Sequence, residues 1–370
     1  MRIAFMHRSL SGGGTEADLR RMASGLAARG HALHVFTADA AAPPAGVTAH
    51  RVPMLRAGRW ARVVSFALLA PRLVARSRFD VVVGFGRTPH QDVVRVGGGT
   101  HRSYLAAMEA AGRRRRRGLY QRTLLRLERR MFAPDGHRRV LAVSHRVADE
   151  VIRDYAVAPE RVRVIYNGVD LDRFHPQRRD LEGARLRGAL GLAGRPVCVA
   201  IGTGFTRKGF DLLLDCWRAG PPADAVLVLV GDDQRLAHYR RIAAAPPLGG
   251  HVHVLGPRAD VESVLAAADV LCLPSRQEAF GNVVLEAAAA GVPAVTSAAV
   301  GAAELLDGAL AELVVADPGD PVALRAALTR ALRQDWSARS AAARRLAERH
   351  PWARHVDELE VFLAEVARGV

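Results

Sequence analysis

Short apolar runs alternating with helical stretches, in two successive series, constrain this chain more than anything else in it. In the second half the runs occupy 196–202, 225–230, 251–255, 270–274 and 293–297, with helical segments at 235–245, 260–268 and beyond Gly281 between them. Runs of this length bounded by glycine and proline read as strands buried on both faces. Strands separated by single helices build a parallel sheet. The first half repeats the theme. A strand at 2–7 leads through the turn Ser11-Gly12-Gly13-Gly14 into a helix at 16–29, which Gly30 ends before a strand at 31–37. Further strands fall at 47–52, 80–85, 93–96 and 139–143, and helices at 60–76 and 145–155. The expectation is an α/β chain of two doubly wound, Rossmann-like domains.

At 370 residues, about half of them hydrophobic, there is material for two cores. No apolar run has the length of a membrane helix, and the longest, 63–75, is interrupted by Pro71 and Arg72. The segment 1–7 is too short for a signal peptide. Cys198, Cys216 and Cys272 lie far apart in apolar runs, without metal-ligand spacing. A cytoplasmic protein, or one peripheral on the inner membrane face, is expected. Charge is lopsided: residues 1–170 carry 30 Arg and Lys against 13 Asp and Glu, and the remainder 23 against 24. A basic half implies an anionic surface or substrate. Nucleic acid is not expected, since no binding module or interleaved aromatics accompany the arginines.

One scarcity is informative. Lys208 is the only lysine, and Asn167 and Asn282 are the only asparagines. Where arginine replaces lysine everywhere else, the surviving lysine marks a place that needs a compact ammonium.

The densest chemistry lies in Pro274-Ser275-Arg276-Gln277-Glu278-Ala279-Phe280-Gly281-Asn282-Val283-Val284-Leu285-Glu286, between a strand and a helix. Gly281 permits close backbone approach. Amides of Gly281, Asn282 and Val283 at the helix start favour negative charge. The carboxylates of Glu278 and Glu286 can accept hydrogen bonds from hydroxyls. A second segment, Gly202-Thr203-Gly204-Phe205-Thr206-Arg207-Lys208-Gly209-Phe210-Asp211, sets two cations at a helix start, where the dipole disfavours them unless an anion joins them.

Glu, seven residues, Glu around Phe-Gly-Asn resembles the donor-binding motif of retaining, nucleotide-sugar-dependent glycosyltransferases of the GT-B fold, family 4, with a feel of the lipopolysaccharide-core glucosyltransferases. The resemblance implies two Rossmann-like domains facing a cleft: 1–172 for the acceptor, 173–350 for the nucleotide sugar, and a closing helix at 351–370 returning to the first. It implies that Glu278 meets the donor sugar, that Glu286 meets the ribose, and that the backbone of Phe280, Gly281, Asn282 and Val283 holds sugar and diphosphate. Gly202, Arg207 and Lys208 would hold the diphosphate and neutralise it as the bond breaks, and Arg258 would lie by the base. Gly13 and Gly14 either hold phosphate or simply form a tight turn. His101, after Gly97-Gly98-Gly99, is expected to contact the donor sugar or steer the acceptor hydroxyl; the acid that some relatives carry in this glycine run is missing here. Catalytic weight thus falls on Glu278, His101, Arg207 and Lys208. The donor expected is a UDP-hexose, then GDP-mannose; the acceptor is a saccharide or lipid-linked sugar. No cofactor and no metal are expected. The basic stretch 112–132 either lies on an anionic membrane or is a solvated face. Other readings are a nucleotide-sugar epimerase or phosphorylase of this architecture, and a non-catalytic nucleotide-sugar or membrane-binding protein.

Overall fold

A computed structural model describes residues 1–39, 41–55, 57–112, 118–192, 194–333 and 336–369. The chain divides into two compact units, Met1–Asn167 with Trp352–Val370, and Gly168–Pro351. The first boundary therefore falls before 172. The reason is local: Val169 donates its amide to the His350 carbonyl at 2.9 Å and bridges Pro351, which ties 168–172 to the second unit.

The first unit is a seven-stranded sheet of β1 (Arg2–Met6), β2 (Ala32–Thr37), β3 (Val47–Arg51), β4 (Val81–Gly84), β5 (Val93–Val96), β6 (Arg139–Ala142) and β7 (Val162–Val164), ordered β3-β2-β1-β4-β5-β6-β7. Every pairing is parallel. One core combines Ile3, Phe5, Leu19, Met22, Leu26, Val35, Val81 and Val83 with Val356, Leu359, Phe362, Leu363 and Val366 of the helix Trp352–Arg368. That helix packs on Gly14–Ala28 so closely that a β-carbon on Gly25 would stand 2.7 Å from Val356.

The second unit is a six-stranded parallel sheet of β8 (Val197–Ile201), β9 (Val226–Val230), β10 (Val252–Gly256), β11 (Val270–Leu273), β12 (Ala294–Ser297) and β13 (Val314–Val315), ordered β10-β9-β8-β11-β12-β13. Val-Cys-Val-Ala-Ile of β8 and Val-Leu-Val-Leu-Val of β9 are buried at every position, as central parallel strands require. The cysteines are free and buried.

The helix expected at 60–76 is Gly58–Val74 and carries Pro71 inside it. Two local expectations change. The sequence reads as helical throughout 321–349, and the structure holds two helices there, Pro321–Arg333 and Trp336–Glu348, with 334–335 outside the described residues. A helix at Glu182–Ala189 adds to those read from the sequence. Among the described residues, no helix is long and apolar enough to cross a membrane.

Candidate active site

Strand order in the second sheet reverses between β8 and β11, the place where open parallel sheets bind ligands beyond their carboxyl ends. The two loops that leave these strands carry both sequence motifs, and backbone contacts stitch them together. Gly209, at a φ of +76°, lies against Pro274: a β-carbon there would stand 2.1 Å from the proline carbonyl oxygen. Arg276 donates its amide to the Arg207 carbonyl at 2.9 Å and its guanidinium to the Thr206 carbonyl at 2.6 Å. It also grips both oxygens of Asp211 at 2.7 and 3.0 Å. Gly281, at a φ of +88°, caps the helix Asn282–Ala289. Glu278 forms a short parallel bridge with Val300, its amide donating to the Ala299 carbonyl at 3.0 Å.

These contacts bring Arg207, Lys208 and Glu278 to one point. Glu278 Oε2 accepts from Arg207 Nη1 at 2.8 Å and pairs with Lys208 Nζ. Arg207 Nη1 also donates to the Gln277 carbonyl at 2.9 Å, which holds its guanidinium in place. Lys208 is buried under Gly202, where a β-carbon would stand 2.8 Å from its Cε and 3.3 Å from Nζ. The compact ammonium inferred from the lone lysine is thus matched by a glycine that makes room for it. Burial pushes the Glu278 carboxyl upward, but Lys208 and Arg207 outweigh it and hold the group at about 2. Burial pushes Lys208 down from the usual range, against the pull of Glu278 and, more weakly, of Glu286. The cluster is two cations sharing one carboxylate, with half-buried Glu286 one helical turn further on. Beside it, Ser275 Oγ and Gln277 Nε2 are buried without a hydrogen-bond partner among the described residues.

Other expected residues lie outside the side-chain cluster. Phe280 and Val283 are buried in the unit, at the start of the helix that Gly281 caps. Arg258 follows β10, two strands away from β8, and its guanidinium grips Asp260 at 2.9 and 2.6 Å; the structure does not bring it to the cluster. In the first unit Gly13 caps the helix that Gly14 begins, and its amide donates to Glu16 Oε2 at 3.0 Å. That helix start carries its own anion, so the geometry favours the tight turn over phosphate. His101 opens the helix His101–Ala110 and is buried, Nε2 against Gln121. Burial, and then the charge of Arg87, lower its pKa.

The residue missed at that helix is Glu128. Its carboxylate accepts the His101 amide at 2.8 and 2.9 Å, the Tyr155 hydroxyl at 2.5 Å and Arg87 Nη2 at 3.3 Å. It is the one acid in Leu119–Met131, and that oddity was the available signal. Of the apolar residues that an amphipathic helix in 112–132 would turn to lipid, Leu119, Leu124, Leu125, Leu127 and Met131, Leu124 and Met131 are buried inside the unit and only Leu119 is exposed. The arginine run 113–117 lies outside the described residues. Asp170-Leu171-Asp172 spells an Asp-x-Asp string, but Asp170 Oδ1 caps the Arg173 amide at 3.0 Å. Among the described residues, no group of three His, Cys, Asp or Glu could hold a metal ion.

Two doubly wound parallel-sheet units, one with a cation pair and a Glu-x7-Glu turn at its switch point, define a glycosyltransferase of the GT-B fold. The chain belongs to the family described as "Glycosyl transferases group 1", matched over residues 195–334, and "Glycosyltransferase Family 4", matched over 12–173. It is 27% identical to the lipopolysaccharide glucosyltransferase WaaG of Escherichia coli K12 over 348 residues, 90% of each chain. It is 30% identical to a Burkholderia thailandensis protein described as a "Probable transglycosylase", over 96% of this chain and 94% of that one. The crystal structure of WaaG superposes with a TM-score of 0.81 at 25% identity over the full length of both. That of Anabaena HepE in complex with UDP-glucose gives 0.75 at 20%, also over the full length of both.

Proposed function

We propose that this glycosyltransferase moves a hexosyl group from a nucleotide sugar, a UDP-hexose before GDP-mannose, to a hydroxyl of a saccharide or glycolipid, with retention and without a metal ion. The observation that carries the reading is the Arg207–Lys208–Glu278 cluster at the β8/β11 switch point. As the bond from the anomeric carbon to the diphosphate breaks, the electron pair stays on the diphosphate oxygen. Arg207, Lys208 and the amides opening Asn282–Ala289 then meet that charge. The acceptor oxygen forms the new bond, and its proton leaves with the diphosphate. Glu278, released from its cations by the diphosphate, accepts from a sugar hydroxyl, and Glu286 accepts from the ribose. His101, held neutral, lines the sugar or the acceptor hydroxyl. The UDP assignment draws on HepE, whose structure contains UDP-glucose, and on WaaG, named a glucosyltransferase.

The test is a donor panel of UDP- and GDP-sugars with the released nucleotide measured, then acceptor screening with the product anomer determined by NMR. Nucleotide release with no sugar on any acceptor, or an inverted product, would defeat the reading. Work at the anionic inner face of a membrane, through the exposed arginines of Leu119–Met131, belongs to the same proposal. Vesicle sedimentation at low salt checks it, and absence of binding removes it.

A further inference from the structure

We propose that a hollow in the first unit, bounded by Arg8, Arg59, Arg62, Tyr120 and Asp39, seats a phosphate on the acceptor, making the acceptor a phosphorylated saccharide. This rests on the glycosyltransfer reading and narrows its substrate. The hollow has a volume of about 450 Å3, room for a monosaccharide and its phosphate. Ser9, Ser11 and Asp39 place it just past the carboxyl ends of β1 and β2, on the ligand-binding side of a parallel sheet.

The electrostatics there are one-sided. Asp39 is the carboxylate in the lining, and its charge is already committed. It accepts the hydroxyls of Ser11 and Ser9 at 2.6 and 2.8 Å and the amides of Leu10 and Ala41, each at 3.2 Å. Those bonds brace the loop after β1, hold the carboxyl far below its ordinary range, and leave it pointing at its own loop. None of Arg8, Arg59 and Arg62 pairs with a carboxylate among the described residues, although arginines throughout the rest of this chain do so repeatedly. Two of them are held in position. Arg59 stacks on Tyr120 at 5.3 Å, and Trp60 Nε1 donates to Thr123 Oγ1 at 2.9 Å, clasping Gly58–Val74 to Leu119–Met131. Arg62 Nε donates to the Gly58 carbonyl at 3.3 Å, which anchors one edge of its guanidinium. A second hollow of about 360 Å3 shares Ala38 and Met54 with the first and adds Arg51. Guanidinium forks around a polar hollow suit a phosphate dianion, and the joined space leaves room for the sugar that bears it. A bare cationic surface would need neither the hollow nor the braced aspartate.

Binding to the full chain is measured by calorimetry with glucose 6-phosphate, glucose and inorganic phosphate, and by sedimentation with phosphatidylglycerol-containing vesicles. Glucose 6-phosphate is expected to bind at least roughly tenfold tighter than glucose or inorganic phosphate. The double variant Arg59→Gln/Arg62→Gln is expected to lose about tenfold or more, and Arg8→Gln a smaller share. Arg72→Gln, on the same helix but outside the hollow, should keep wild-type affinity, and circular dichroism melts confirm that each variant is folded. Equal affinity for glucose and its phosphate, or variants that bind as wild type, overturns the proposal. So does inorganic phosphate binding as tightly as the sugar phosphate, or arginine-dependent binding seen with vesicles alone. UDP affinity, read on the same samples, reports on the second unit, so a failed donor reading shows there and not in the sugar-phosphate arm.

Discussion

Replacing Glu278 by glutamine removes the one negative charge shared by Arg207 and Lys208 while keeping the side chain's shape. A carboxyl brought from 4.5 to about 2 ties roughly 3 kcal/mol of folding free energy to its ionisation, at about 1.4 kcal/mol per tenfold change in proton affinity. Breaking a buried pair from one side costs about the same, ~3–5 kcal/mol. The sign follows from the direction. The folded group is the stronger acid, so its contribution is complete above pH 4.5 and drains away as pH falls toward 2. Glu278→Gln should therefore unfold about 3 kcal/mol more easily than wild type at pH 7, with the gap closing as the pH drops below 4.5. UDP adds a second reading. Its diphosphate supplies the charge the variant lacks, so UDP should raise the variant's melting temperature more than that of wild type, while sugar transfer falls. Calorimetry from pH 7 to 3, with and without UDP, decides. Equal midpoints throughout, or a larger UDP shift in wild type, would refute the shared-carboxylate account.

Lys208→Arg pushes a larger cation under Gly202, and UDP affinity should fall by roughly tenfold, as overpacking by 1–3 kcal/mol implies; unchanged affinity would end the case for a compact ammonium. Gly281→Ala forces a side chain into a φ of +88° and within 2.9 Å of Val300 Cγ1. Denaturant unfolding should show a loss of about 1–3 kcal/mol, and a wild-type midpoint would contradict it. Arg276→Ala unties the two donor loops, so hydrogen exchange in 203–211 should quicken by about tenfold or more. Burial brings His355 from 6.5 to about 4, overriding the Tyr166 carbonyl that accepts from Nδ1 at 2.7 Å. The unfolded ring takes up a proton first, so the first unit should lose stability as pH falls from 6.5 toward 4. An NMR midpoint for His355 near 6.5 would contradict this.

The second sheet was legible because its central strands β8, β9 and β11 are apolar at every position and glycines such as Gly202, Gly231 and Gly256 mark the turns. The Glu278–Glu286 turn was legible because its residue types sit close together in sequence. The partnership of Glu278 with Arg207 was not. It joins side chains 71 positions apart, and no local period encodes that. Glu128 was hidden for the same reason, its partners His101 and Tyr155 each lying 27 positions away. Asp39 went unnoticed because an isolated aspartate beside alanines gives no hint that Ser9 and Ser11 will close on it.

The helix Trp352–Arg368 supplies Val356, Leu359, Phe362, Leu363 and Val366 to a core whose other buried residues lie between Ile3 and Ile165. During synthesis that core stays incomplete until the ribosome has made the entire second unit. At about 5–20 residues per second, the wait is on the order of ten seconds or more. Through that interval the face of Gly14–Ala28 that receives the helix is bare, and it is where a chaperone would find this nascent chain.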